Sequence, residues 1–131
     1  MLGHAIAMGI CEAVEWYRQH HRFASVDKWW ERLLQLEQLR GMARQDVRSG
    51  GYVIETLEAA LWCLLTTDNY ADCVLAAVNL GHDADTTAAV AGGLAGLAYG
   101  YDSIPGEWIA ELKRKEFIHE CCNGLAAHCS Q

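Results

Sequence analysis

A chain of 131 residues, 52% of them hydrophobic, is long enough to bury a core and short enough to fold as a single domain spanning 1–131. Its formal charge of −7, from 10 Lys and Arg against 17 Asp and Glu, comes without a basic block. That argues against a nucleic-acid backbone as partner and favours a cation or a polar small ligand. The apolar N-terminal stretch lacks a basic leader segment and is interrupted by His4 and Glu12, so neither a signal peptide nor a membrane span is expected.

The first predicted helix runs from about residue 3 to 20, with Ile6, Ile10, Ala13, Val14 and Tyr17 on one face. The second is expected within residues 24–46, where Trp29 or Trp30 joins Leu33, Leu34, Leu36 and Leu39 and where Ser25 or Asp27 can cap the start. Gly41 and the pair Gly50-Gly51 mark breaks. A third helix, VIETLEAALWCLLTT, presents Leu57, Leu61, Leu64 and Leu65 on one side. The fourth follows TTDN, capped by Thr67 or Asp68, and ends near Leu80-Gly81. A fifth, rich in Ala and Gly, starts near Asp85 or Thr86, and Pro105 suits the first turn of another. No alternating strand pattern persists, so the fold class is all-α.

The six cysteines lie mostly within apolar helical patterns and form no C-x-x-C pair, as expected of reduced thiols in a cytoplasmic protein. The tail CCNGLAAHC offers Cys121, Cys122, His128 and Cys129 but lacks the paired spacing of a structural zinc site.

The stretch GHDADTT, residues 81–87, carries the chemistry. A carboxylate at a helix start is stabilised by free amides and the helix dipole, so Asp85 alone reads as a cap. That does not explain Asp83. Two carboxylates in one tight loop repel each other unless a cation lies between them, and with the Thr86 hydroxyl the donors are all oxygen. Such a set selects Mg²⁺, Mn²⁺ or Ca²⁺ over zinc. In the helix that follows, Ala88, Gly92, Gly96 and Gly100 recur every fourth residue, beside Ala89 and Gly93. Interior glycine costs about 1 kcal/mol relative to alanine, so close approach by another backbone is the expected reason. The uncharged run from Ala88 to Tyr101 is too short to span a bilayer.

Residues 49–108 contain GYVIETLEAALW, AAVNLGHDADTTAAVAG and IPGEW in that order. In this they resemble the C-terminal signature of the ADP-ribosylglycohydrolases, the family that includes the dinitrogenase reductase-activating enzymes. The resemblance implies an orthogonal all-α bundle with two Mg²⁺ or Mn²⁺ ions that bind ADP-ribose. It also implies hydrolysis of the bond from ADP-ribose to a modified protein side chain or small molecule. The family's D-x-D-[ST] ligands fall on Asp83, Asp85 and Thr86. Gly51 and Tyr52 match a loop near the substrate, with a plain interhelix turn as the competing reading of Gly50-Gly51.

Family members carry a Thr-Asp-Asp cluster and a further acidic residue in an N-terminal half that has no match in this sequence. This chain therefore reads as a back half, with part of the metal site, disposed to self-association or to a complementary N-terminal half. His82, where many relatives have a small or acidic residue, is expected to face solvent. Two other readings stand beside the hydrolase. One is a non-catalytic remnant that binds ADP-ribose or a protein. The other is an HD-type metal phosphohydrolase centred on His82-Asp83, with His20 or His21 and Asp102 as further ligands.

Overall fold

The structure, a computed structural model, describes residues 2–20 and 31–129. Helices α1 (Leu2–His20), α2 (Leu36–Arg40), α3 (Val53–Thr66), α4 (Tyr70–Val78), α5 (Ala84–Tyr99), α6 (Gly106–Glu111) and α7 (Lys115–Cys129) follow in order. Short 3₁₀ turns lie at Arg44–Asp46 and Tyr101–Ser103. Strands are absent among the described residues, so the all-α expectation holds.

Helix α3 is central because it buries two faces. Ala60, Cys63 and Leu64 pack with Cys73 and Ala77 of α4 and with Ala91 and Ala95 of α5. Small residues at these contacts allow the three helices to lie close together. On its other side, Leu61 joins Leu33, Leu36 and Leu39, with Leu57 and Leu65 at the margin. The sequence pattern placed Leu64 with the other leucines, whereas the structure turns it towards α4 and α5. Its neighbours in that cluster are alanines and cysteines, which carry too little hydrophobic contrast to mark a second face.

The cap of α4 is Asn69, one residue beyond Asp68 and two beyond Thr67, the expected caps. Its Oδ1 accepts the Asp72 amide at 2.9 Å and its Nδ2 donates to Asp72 Oδ2 at 2.7 Å, a reciprocal capping arrangement. The long second helix is not formed as expected among the described residues. Residues 31–34 make a turn and α2 holds only five residues before Gly41. Beyond it the chain is tied down by tertiary bonds instead, with Trp62 Nε1 donating to the Met42 carbonyl at 3.1 Å and the Arg44 guanidinium donating to the Asn79 carbonyl. Ser25, Asp27, Trp29 and Trp30 lie outside the described residues.

The glycine stripe of α5 has a different cause from the expected one. A Cβ at Gly92 would stand 3.3 Å from Tyr70 Oη and 3.6 Å from Val74 Cγ2, and one at Gly96 would stand 4.0 Å from Tyr70 Cε2. The bare face of α5 makes room for a phenol ring of α4 rather than for backbone. Gly100 serves as the stop, at φ 83°, with its N–H donating to the Gly96 carbonyl at 2.9 Å. Pro105 precedes α6 as its N-cap, one position before the expected first turn. Helix α7, which was not foreseen, occupies the cysteine-rich tail and buries none of its residues. No described helix is long and apolar enough to cross a membrane.

Candidate functional site

The aspartate loop is built where the turn ahead of α3 meets the turn ahead of α5. Gly51 and Gly81 take positive φ angles of 84° and 83°, and His82 follows at 54°. Two left-handed residues in succession reverse the chain sharply, so that Asp83 becomes the N-cap of α5. The helix thus begins at Ala84, slightly earlier than expected, and Asp85 lies exposed in its first turn instead of capping it. The Asp83 side chain makes no capping bond to a backbone amide. It accepts the Thr86 hydroxyl at 2.9 Å on Oδ1.

The backbone of Asp83 is held on both sides. Its N–H donates to the Ser49 carbonyl at 3.0 Å, and its own carbonyl accepts the Thr87 N–H at 3.1 Å and the Thr87 hydroxyl at 3.0 Å. Thr87 is fully buried, so this anchorage reaches into the core. Ser49, 3% exposed, also donates its hydroxyl to the Gly81 carbonyl at 3.0 Å. The turn containing Gly50-Gly51 is closed by an Arg48–Glu55 pair at 3.4 Å.

Gly51 lies directly against the carboxylate. A Cβ there would stand 3.2 Å from Asp83 Oδ2, so the missing side chain leaves that oxygen an open flank. Of the candidate residues, Asp83, Thr86 and Gly51 are thus brought together, Asp85 follows on the exposed first turn, and Tyr52 is half-exposed as the N-cap of α3. The sequence did not single out Ser49 or Thr87. A serine just ahead of two glycines was the only local signal, and its partners lie more than thirty residues away.

His82 is exposed, as expected. It lies outside α5 with a left-handed backbone, which removes the helical His-Asp pair that an HD-type centre requires. Asp102 lies beyond the far end of α5, which is about 24 Å long at 1.5 Å per residue. His21 and the side chains of His4 and His20 are outside the described residues. No group of three or more His, Cys, Asp or Glu side chains among the described residues could hold a metal, and this applies to the cysteine-rich tail as well.

The sequence profile of the ADP-ribosylglycohydrolase family matches residues 2–131. The chain belongs to this family. Among curated relatives, the ADP-ribosylarginine hydrolase of Serratia proteamaculans is 49% identical over 82 residues, covering 63% of this chain and 22% of that protein. The ADP-ribosylarginine hydrolase of Pseudomonas putida is 43% identical over 83 residues, again 63% of this chain and 22% of the relative. The ADP-ribosyl-[dinitrogen reductase] glycohydrolase of Rhodospirillum rubrum is 43% identical over 68 residues, 52% of this chain and 23% of the relative. The matched region therefore spans about a fifth of each relative.

ADP-ribosylglycohydrolases are generally metal-dependent, and the loop can be tested for that role by its own chemistry. It offers two carboxylates and a hydroxyl, all hard oxygen donors suited to a divalent cation of the Mg²⁺ type. The missing Cβ of Gly51 leaves space beside Asp83 Oδ2. Hence the residues fit such an ion as a partial ligand set.

Proposed function

We propose that this chain supplies part of the active site of an ADP-ribosylglycohydrolase. The enzyme would cleave the glycosidic bond between ADP-ribose and a modified protein side chain, arginine being the one named for two relatives. The observation that carries the reading is the open flank of Asp83 Oδ2 beside Gly51, formed by two turns that are distant in sequence.

Asp83, Asp85 and Thr86 would hold Mg²⁺ or Mn²⁺, with a Thr-Asp-Asp segment of the family's kind completing the two-metal set. A divalent cation bound there supplies Lewis acidity towards the sugar oxygens and a water of lowered pKa. The protein's own part is to hold its ligands still. Thr86 donates to Oδ1 and so fixes the carboxylate plane, leaving Oδ2 as the free donor. Asp85, on the exposed first turn, adds negative charge at the same end of α5. Gly51 keeps the approach clear, and Tyr52, half-exposed, follows it at the start of α3. The exposed cysteines, kept as free thiols, fit a reducing cytoplasm.

Calorimetric titration with ADP-ribose tests this assignment. Binding is expected in the presence of Mn²⁺ and is expected to disappear with excess chelator. Equal binding with and without the metal would favour a non-catalytic ADP-ribose module, and no binding under either condition would contradict both readings.

A further inference from the structure

We infer that Ser49 is a positioning residue for the aspartate loop: it grips the chain on both sides of His82 and so sets where the Asp83 carboxylate stands. The inference rests on the proposed metal-binding role of that carboxylate, although the grip itself is a matter of geometry.

His82 is the difficult residue of the loop. Its backbone is left-handed at φ 54°, a conformation that side-chain-bearing residues hold only when their surroundings over-determine it. The residue itself is exposed. The two residues flanking it are held, and both by Ser49. The Ser49 hydroxyl donates to the Gly81 carbonyl at 3.0 Å, and the Ser49 carbonyl accepts the Asp83 amide at 3.0 Å. One buried residue thus spans the kink with two bonds.

The consequence reaches the carboxylate through the backbone. With its amide fixed by Ser49 and its carbonyl by Thr87, Asp83 retains only side-chain rotation. The Thr86 hydroxyl and the Gly51 flank then limit that rotation. A hydroxyl is the group this arrangement requires at position 49. Alanine keeps the carbonyl bond but leaves the Gly81 carbonyl without its donor. Ser49 acts through backbone atoms, its hydroxyl on the Gly81 carbonyl and its carbonyl on the Asp83 amide, so its effect on the carboxylate is indirect.

The test compares wild type with Ser49→Ala by two readouts. Hydrogen exchange of the peptide containing His82 and Asp83 is expected to accelerate roughly tenfold in Ser49→Ala, while exchange in α3 stays at the wild-type rate. Mn²⁺ affinity, read from the electron paramagnetic resonance of the free ion, is expected to fall severalfold with the unfolding midpoint little changed. Unchanged exchange at His82-Asp83 would overturn the grip, and unchanged Mn²⁺ affinity would overturn the positioning role. A wild-type chain that binds no Mn²⁺ would instead overturn the functional reading, with the exchange comparison still deciding the grip. Should Ser49→Ala loosen α3 as well, Ser49→Thr keeps the hydroxyl and serves as the second variant: wild-type exchange at His82-Asp83 and wild-type Mn²⁺ affinity are expected, and loss of either with the hydroxyl retained would overturn the inference.

Discussion

Thr87 donates twice to the carbonyl of Asp83, from its amide and from its hydroxyl, in a fully buried position. Thr87→Val retains the amide bond and the side-chain volume but deletes the hydroxyl. We expect a loss of about 1 kcal/mol in urea unfolding, the net worth of one buried hydrogen bond. Glu58 gives the pH dependence at this scale. Burial pushes its carboxyl above the ordinary value, partly opposed by Arg32 at 3.4 Å. The folded chain therefore holds this proton more tightly than the unfolded chain does. Its contribution is fully present below the ordinary carboxylate pKa and is lost as pH rises through the folded value. Glu58→Gln is expected to be more stable than wild type near about pH 8, with the gain vanishing towards about pH 4. A constant difference across that range would contradict the assignment. Asp83, Asp85 and Thr86 stand out in the sequence as one short motif, whereas Gly51 is marked as a site residue only by the family resemblance, and its contact with Asp83 appears only in the structure. Ser49 and Thr87 do not stand out, because each acts on backbone atoms through contacts that no side-chain pattern records.

Helix α5 shows what an element-level pattern can and cannot reveal. Three glycines within the helix and a fourth at its end signalled close packing, but only the structure distinguishes their roles. Nothing lies within 4 Å of a Cβ built on Gly93, whereas one on Gly92 meets Tyr70 and Val74. Gly93→Ala should therefore stabilise the chain by about 0.5–1 kcal/mol, the cost of glycine in a helix interior. Gly92→Val should destabilise it, because its branches must displace the Tyr70 ring. Thermal unfolding of the two variants reads opposite signs, and equal signs would contradict the packing. The main helices, α1, α3, α4 and α5, follow from apolar spacing and turn residues. The second helix is shorter than expected among the described residues and the tail helix was not foreseen, for opposite reasons. Around Gly41 the leucine pattern promised more helix than forms among the described residues, since tertiary bonds to Met42 and Asn79 hold the chain in irregular form. In α7 the helix buries nothing, so no strong apolar face announced it.

Across the whole molecule, the two clusters meeting on α3 separate the thiols into two classes. Burial, with the neighbouring Cys73 second, pushes the Cys63 thiol up to about 12, and burial likewise raises that of Cys73. Cys11, Cys121, Cys122 and Cys129 are exposed. A disulfide reagent near about pH 8 should label these four rapidly and reach Cys63 and Cys73 only on unfolding. Six equally fast thiols would mean that the core around α3 is not closed. The same core anchors the aspartate loop through Thr87, which links the fold to the metal chemistry proposed for it. The most direct test of that link is a Mn²⁺ titration of the wild-type chain against the Asp83→Asn/Asp85→Asn double variant, both checked for native helicity. Saturable binding by wild type that is lost in the folded double variant is the predicted result. Equal binding by the two chains, or none by the folded wild type, would contradict a metal-holding role for the loop.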